Sequence, residues 1–244
     1  MARFVLVHGA FTGAWIWGPL AQDLQAAGHT VEAFDLPGLG DDQTPPGDVT
    51  LEMCARRLVD VLASKPEPAI VAGNSMGGVI ATQAAALMPD RVAALVYVAA
   101  FIPADGQSLL DLTHLPEGAT DQVQANVVLT PPVGTMPDEA SKTALYNECS
   151  DEDAAWAVSK QRPQPLAPFA TPVSIPAGSL DGIPRFYVLC ARDRAIPATL
   201  QRRMIRERGC DKVVELDTDH TPQLSMRAEL AAALEQFAGL AAAL

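Results

Sequence analysis

Short apolar runs alternate with amphipathic stretches along most of the chain. The runs that predict strands are RFVLV (3–7), TVEAFD (30–35), AIVAG (69–73), ALVYVA (94–99), RFYVLC (185–190) and KVVEL (212–216). Helical periodicity lies between them and is clearest in residues 50–63, where apolar residues recur every three or four positions. Continuously apolar strands separated by helices predict an α/β fold, with a mostly parallel sheet flanked by helices.

The segment from residue 103 to residue 184 breaks this pattern. It is rich in proline and shows no convincing strand. Two of its stretches, DEASKTALYNECS and DEDAAWAVSK, have acidic first turns and predict short helices. We therefore expect a mainly helical cap inserted between two strands, with residues 1–102 and 185–244 forming the core.

A serine stands where the third apolar run meets the next helical stretch. Ser75 lies in GNSMG (73–77), which matches G-x-S-x-G, a sharp strand-to-helix turn that exposes the serine at the carboxyl edge of the sheet. The crowding at that turn tolerates only small residues, and Gly73 and Gly77 supply them. The N-terminal end of the following helix favours negative charge at the same place. We interpret Ser75 as a nucleophile.

A serine nucleophile needs a base, and in α/β-hydrolases the order along the chain is Ser, then Asp or Glu, then His. Two histidines follow Ser75. His220 comes directly after the last strand and before a helix that can start with Thr221 as its cap, whereas His114 lies in the proline-rich segment. We therefore assign the base to His220.

The acid that orients the base is expected at the same edge of the sheet. Asp193 follows the strand at 185–190, and Arg192 and Arg194 should keep it ionised unless they point outward as solvated charges. We assign the acid to Asp193. Four other aspartates compete for this role: Asp181, Asp211, Asp217 and Asp219. Asp217 and Asp219 lie so close to His220 in sequence that they more naturally shape its loop.

The loop after the first strand, VHGAFTGAW, is the expected source of a second oxyanion donor. Gly9 lets the backbone approach the substrate closely, so we assign the donor pair to the N–H groups of Ala10 and Met76. The candidate substrate-binding residues are Gly9 and three aromatic residues, Phe11, Phe101 and Trp156. Ordinary packing is the alternative for Phe101 and for Trp156.

The amino-acid composition argues against several classes of binding partner. Seventeen Lys and Arg against 29 Asp and Glu give a net charge of −12, which argues against nucleic acid and anionic membranes. No apolar run approaches the roughly 18 residues of a membrane span, and no secretory signal opens the chain, so we expect a cytoplasmic protein. Four cysteines without a C-x-x-C pair predict reduced thiols and no metal site. We expect no cofactor and leave a homodimer open.

With these motifs together, the chain resembles α/β-hydrolases of the branch that holds plant methyl esterases, related bacterial esterases and hydroxynitrile lyases. The resemblance covers essentially the whole chain, including the opening FVLVHGAFTGAWIWG, the motif GNSMGG, the cap LYNECSDEDAAWAVSKQRPQP and the loops ARDRAIP and DHTPQLS. It implies a triad of Ser75, Asp193 and His220, with Ala10 and Met76 as oxyanion donors.

The resemblance also separates two chemistries. The lyases of this branch have a threonine in the first loop and a lysine after the catalytic histidine, where this chain has Gly9 and Thr221. Ester hydrolysis is therefore the better interpretation. Asn74 stands where the branch commonly has His or Glu, which leaves the choice of substrate open.

The sequence thus predicts a serine carboxylesterase that hydrolyses small to medium, largely apolar esters through an acyl-enzyme. The alternatives are a hydroxynitrile lyase-like C–C lyase and a ligand-binding receptor of low turnover on the same fold. Lactonase or perhydrolase activity would use the same residues.

Overall fold

The computed structural model describes residues 1–243, and its centre is a parallel sheet. The strands are β1 (Arg3–Val7), β2 (Thr30–Ala33), β3 (Ala69–Ser75), β4 (Val92–Ala100), β5 (Val128–Thr130), β6 (Val133–Thr135), β7 (Gln164–Pro165), β8 (Arg185–Cys190) and β9 (Lys212–Leu216). Six of them form the main sheet in the order β2-β1-β3-β4-β8-β9, and every neighbouring pair is parallel. The predicted α/β fold is confirmed.

Helices cover both faces of this sheet. The α-helices of the described chain are α1 (Gly18–Ala26), α2 (Leu51–Ala63), α3 (Gly77–Leu87), α4 (Leu109–Thr113), α5 (Gln122–Asn126), α6 (Asp138–Leu145), α7 (Asp151–Ser159), α8 (Ala167–Ala170), α9 (Ala198–Arg208), α10 (Pro222–Ser225) and α11 (Arg227–Ala241), of which α4 to α8 lie between β4 and β8. Successive side chains of a strand point to opposite faces, so Phe4 and Leu6 pack toward α1 and α11, whereas Val5 and Val7 pack toward α2 and α3.

The segment of residues 103–184, called the cap segment below, lies between β4 and β8, which pair directly with each other. It contains α4 to α8 together with a small antiparallel sheet in the order β5-β6-β7. The expectation of no strand in this segment is therefore wrong. These strands are two or three residues long, which is too short for a periodic pattern to identify them.

Local sequence explains where several helices begin. The side chains of Thr50 and Ser150 accept a hydrogen bond from a backbone N–H in the first turn of α2 and α7. Ser108 and Asp111 form a reciprocal capping box at the start of α4. Of the helices in residues 1–243, none is long and apolar enough to cross a membrane.

Candidate active site

The turn at Ser75 is as tight as its motif predicts. Ser75 ends β3 and Gly77 begins α3, so only Met76 lies between the strand and the helix. The φ angle of Ser75 is 56°, in the left-handed region that side chains other than glycine rarely occupy. A Cβ atom at Gly73 would lie 2.5 Å from the Gly77 backbone, and one at Gly77 would lie 2.5 Å from the Val7 carbonyl oxygen. Close backbone contact therefore requires both glycines.

Asp193 and His220 lie in the loops that follow β8 and β9, at the same edge of the sheet. His220 Nδ1 donates a 2.8 Å hydrogen bond to Asp193 Oδ2. Gln201 Nε2 donates to the same oxygen at 3.1 Å, and the backbone N–H groups of Ala195 and Ile196 donate to Oδ1 at 2.7 and 2.8 Å. This buried carboxylate is thus held in a fixed orientation against the imidazole.

The environment of this pair changes the pKa of both groups. Burial lowers the pKa of His220, but the charge of Asp193 and its hydrogen bond outweigh burial and raise the pKa above its usual value. Burial raises the pKa of the Asp193 carboxyl, against the opposing effects of His220 and the backbone donors. With its proton on Nδ1, a neutral His220 has Nε2 free to accept a proton.

The arginines beside Asp193 do not hold it. Arg192 donates from Nε to Asp217 at 2.7 Å and from Nη1 to Glu148 at 3.0 Å, and both hydrogen bonds lie near the surface. Arg194 is exposed. Of the two alternatives that the sequence left open for these arginines, the structure therefore shows the second, in which they point outward as surface charges. Neutral N–H donors occupy the positions around the carboxylate instead, because both arginines point away from the interior.

Buried polar side chains fix the loop of His220. Asn74 Nδ2 donates to the main-chain carbonyl of Val98 at 3.0 Å and to that of His220 at 3.2 Å. The residue before Ser75 therefore connects the end of β3 to β4 and to the histidine loop. No residue-type pattern in the sequence pointed to this contact.

The same loop is attached to the cap segment. Asp219 Oδ1 accepts from the Thr221 N–H at 3.0 Å, and its Oδ2 accepts from the Glu148 N–H at 2.8 Å and from Cys149 Sγ at 3.4 Å. Thr221 precedes α10 as predicted, but its hydroxyl donates to the Leu145 carbonyl at 2.8 Å instead of capping the helix. Asp219 thus shapes the loop of His220, as the sequence indicated.

The loop after β1 lies directly against Ser75. A Cβ atom at Gly9 would lie 2.9 Å from the Ser75 Cβ, so this position needs glycine. Within residues 1–243, the backbone N–H groups of Ala10 and Met76 make no hydrogen bond, and both residues line the same cavity as Ser75. Unpaired donors beside a nucleophile are what an oxyanion hole requires.

A contact from the cap segment holds the same loop. Phe11, the residue after Ala10, has a φ angle of 64°. Its N–H donates to Gln164 Oε1 at 3.1 Å, and its carbonyl accepts from the Arg162 N–H at 2.9 Å. Two residues of the cap segment therefore fix a strained backbone conformation next to the predicted donor.

His8 is a structural residue of this loop. It is fully buried, its Nε2 accepts from the Leu36 N–H at 3.0 Å, and its Nδ1 donates to the Gly9 carbonyl at 2.8 Å. Burial lowers the pKa of His8 to about 4. It is therefore neutral at physiological pH, with both ring nitrogens used to hold the backbone.

A cavity of about 510 Å³ lies between the sheet edge and the cap segment. Ser75, His220, Phe11 and Phe101 line it. Within residues 1–243, the His220 ring makes its hydrogen bond to Asp193 and none to the Ser75 hydroxyl. Such catalytic hydrogen bonds are often long in a free enzyme and shorten when substrate binds.

Trp156 does not belong to this cavity, and its interpretation as a pocket wall is wrong. It is 37% exposed and packs edge-to-face on Trp15, with ring centroids 5.1 Å apart. The cap segment lines the cavity with other residues that sequence reasoning missed, among them Leu109, Thr113, Asp121, Leu129, Tyr146 and Gln164. No local pattern marks them, because their position depends on how the short cap helices fold back.

Known proteins are similar to this chain in sequence. The profile of the alpha/beta hydrolase family matches residues 4–233. Methylesterase 7 of Arabidopsis thaliana is 32% identical over an alignment of 249 positions, which covers 97% of this chain and 96% of the relative. Salicylic acid-binding protein 2 of Nicotiana tabacum is 30% identical, with 97% of this chain and 96% of the relative covered.

A solved structure is also similar to this chain over its full length. A pyrethroid hydrolase from Sphingobium faniae JZ-2 is similar with a TM-score of 0.90 at 27% identity, over 100% of this chain and 99% of that one. The similarity in sequence and in structure extends over the cap segment as well as the sheet. The chain therefore belongs to the alpha/beta hydrolase family, in its methylesterase-like branch.

Proposed function

We propose that the chain is a serine carboxylesterase in which Ser75 is the nucleophile, His220 the general base and Asp193 the residue that orients it. The observation that carries this proposal is the buried Asp193–His220 hydrogen bond of 2.8 Å beside the cavity that Ser75 also lines. The methylesterase and pyrethroid hydrolase among its relatives support ester hydrolysis.

The reaction follows from the positions of these groups. Ser75 Oγ attacks the ester carbonyl while His220 Nε2 takes the hydroxyl proton, and the electron pair of the C=O bond moves to the oxygen. The N–H groups of Ala10 and Met76 stabilise that oxyanion, and removal of one such donor costs about 3 kcal/mol of barrier. The oxyanion then collapses, and the alcohol leaves with the proton from His220.

The second half of the reaction uses the same groups. Water gives a proton to His220 Nε2 and attacks the acyl carbonyl, and a second oxyanion forms at the same donors. Its collapse returns the proton to Ser75 and releases the carboxylic acid. Throughout, Asp193 keeps the Nδ1 proton of His220 in place and stabilises the imidazolium.

The cavity sets the substrate class. At about 510 Å³ and with mostly apolar lining, it fits small to medium esters with largely apolar groups. The cap segment supplies much of that lining, so we assign residues 103–184 the role of a cap that shapes substrate choice. Phe11 and Phe101 act as its walls on the side of the sheet.

A ligand-binding receptor of low turnover is the second candidate function. The observation in its favour is the 30% identity to a protein named for salicylic acid binding. Turnover numbers separate the two functions, because a receptor would bind a small ligand tightly with negligible hydrolysis. A C–C lyase has less support, since Gly9 and Thr221 replace the lyase residues and the Thr221 hydroxyl is bonded to Leu145.

A fluorophosphonate probe followed by mass spectrometry tests the proposed function. We expect one adduct, on Ser75, which is lost in Ser75→Ala and in His220→Ala. Hydrolysis of nitrophenyl esters should fall at least about 10³-fold in both variants. Ser64→Ala, at an exposed serine outside the cavity, is the matched control and should keep labelling and rate. Unchanged hydrolysis in Ser75→Ala would exclude the proposal.

Two further parts of the proposal concern the whole protein. We expect it to act in the cytoplasm on a free small-molecule ester. Whether it forms a homodimer is tested by light scattering on the purified protein.

A further inference from the structure

Asp121 is a carboxylate in the wall of the cavity that also contains Ser75 and His220. It comes from the cap segment, where it precedes α5, and it is only 5% exposed. Among residues 1–243, it is the single Asp or Glu in that wall, and no Lys or Arg side chain lines the cavity. The mechanism above does not use it.

The two oxygens of this carboxylate have different environments. Oδ1 accepts the N–H groups of Val123 at 2.7 Å and Gln124 at 3.0 Å, so it caps the first turn of α5. Oδ2 makes no hydrogen bond within the described chain. Because Asp121 is buried but lines the cavity, Oδ2 is available to a molecule bound there.

The charge of Asp121 persists at neutral pH. Burial raises the pKa of Asp121 to about 6, the two backbone N–H groups oppose this rise, and the nearby charge of Asp193 adds to it. A group with that pKa is mainly ionised at pH 7 and above. An ionised, nearly buried carboxylate with one unpaired oxygen gains much from a donor that reaches it.

We propose that Asp121 is a substrate-binding residue that accepts a hydrogen bond from a protonated amine on the ester, and that it disfavours esters carrying a carboxylate. This inference rests on the proposed function, because it names the substrate class of the same site. The net charge of −12 acts in the same direction, since it attracts cations to the protein and repels anions.

Asp121→Asn is the sharpest variant for testing this role. Asparagine caps a helix as well as aspartate does, so Oδ1 can still accept from Val123 and Gln124 while the negative charge is removed. Asp138→Asn is the matched control, because it removes the same charge from an exposed position in the first turn of α6. Thermal melting of both variants shows whether the fold is kept.

Three nitrophenyl esters of matched length provide the readout: the hexanoate, the 6-aminohexanoate and the adipate monoester. In the parent protein we expect kcat/KM for the amine ester to exceed that for the carboxylate ester. In Asp121→Asn, the ratio of amine ester to hexanoate should fall about tenfold, and the ratio of carboxylate ester to hexanoate should rise about tenfold. Asp138→Asn should keep both ratios. Ratios that stay unchanged in Asp121→Asn would overturn the inference.

Binding without turnover separates this inference from the proposed function. In Ser75→Ala, calorimetry with the methyl ester of 6-aminohexanoic acid should show binding that weakens about tenfold when Asp121→Asn is added. If the parent protein hydrolyses none of the three esters, the proposed function fails, and the calorimetric comparison alone decides the role of Asp121. Equal affinity with and without Asp121→Asn would exclude that role.

Discussion

The side-chain amide of Asn74 donates a 3.2 Å hydrogen bond to the main-chain carbonyl of His220. The residue before Ser75 is thereby attached to the residue that we propose as its base, across 146 positions of sequence. The same amide reaches Val98 on the neighbouring strand. The distance between Ser75 and His220 therefore depends on the buried side chain of Asn74, which takes no part in the proposed reaction.

Replacing Asn74 by alanine should reduce both stability and activity. The variant leaves two buried carbonyl oxygens, of Val98 and His220, without their partner, which costs about 1–3 kcal/mol of the free energy of unfolding. We also expect kcat of the folded protein to fall, because the histidine loop loses an attachment to β3. Urea denaturation and ester kinetics measure the two effects.

A second buried amide provides the control for this prediction. Gln83 exchanges two hydrogen bonds with the backbone of Ser174, at 3.0 and 2.7 Å, outside the cavity wall. Gln83→Ala should lower the free energy of unfolding by a similar amount and leave kcat of the folded protein unchanged. An equal loss of kcat in the two variants would contradict a positioning role for Asn74.

Replacing Gln164 by leucine should lower kcat more than it changes KM. The variant removes the acceptor of the Phe11 N–H, so the backbone next to Ala10, which we propose as an oxyanion donor, loses a partner that holds its strained conformation. A displaced oxyanion donor weakens binding of the transition state, and we expect kcat to fall about tenfold or more. Steady-state kinetics with a neutral nitrophenyl ester measures this change.

Gln161→Leu is the matched control for Gln164→Leu. Gln161 lies in the same part of the cap segment, and its side chain bonds to Ser141 and Tyr146. Within residues 1–243, that side chain makes no hydrogen bond to the loop after β1. It should keep kcat close to that of the parent protein. If both variants lose activity alike, the effect comes from general loosening of the cap segment.

The activity should fall on the acid side at a pH above the ordinary histidine pKa of about 6.5. His220 must be neutral to accept a proton, and the structure raises its pKa, so it becomes protonated earlier as pH falls. The pH profile of kcat/KM with a neutral ester measures this limb. In Asp193→Asn the limb should move to lower pH and the rate should drop steeply. A limb at or below about pH 6.5 in the parent protein would contradict the raised pKa.

The protein should lose stability as pH falls from about 6.5 toward 4 because of His8. Its pKa is lowered to about 4 in the folded state, whereas an unfolded chain protonates the same ring near 6.5. The unfolded state therefore binds more protons in this window, and the free energy of unfolding decreases by about 3 kcal/mol as pH drops through it.

NMR of the imidazole nitrogens checks this directly. The ring of His8 should stay neutral, with its proton on Nδ1, down to pH 5. In His8→Gln, which can accept from Leu36 and donate to Gly9, the loss of unfolding free energy between pH 6.5 and 4 should become smaller. Protonation of His8 near pH 6.5 would rule out this account.

The sequence identified the core elements of the fold because each has its own periodic pattern. The six strands of the main sheet lie where apolar runs predict them, and β1, β8 and β9 have the predicted bounds. The short strands of the cap segment escaped notice, since two or three residues carry no period. Val128 and Leu129 of β5 are exposed, so this strand also lacks the buried apolar run that identifies the strands of the main sheet.

The residues of the candidate site also fall into a group that the sequence predicts and a group that it does not. Positions tied to a strand end, such as Ser75, Asp193 and His220, were predicted because topology alone brings strand ends to one edge. Contacts between distant side chains were not predictable. The pairing of Arg192 with Asp217, the packing of Trp156 on Trp15 and the entry of Asp121 into the cavity all depend on loop paths that leave no local signature.

One carboxylate, Asp219, joins the loop of His220 to residues 148 and 149 of the cap segment. An engineer who wishes to widen the range of accepted esters should therefore keep residues 145–149 and diversify residues 109–135. Random libraries across the whole cap segment would mix changes of substrate selectivity with changes that displace His220 and slow proton transfer. Restricted libraries would separate the two, and a larger share of their members should remain active.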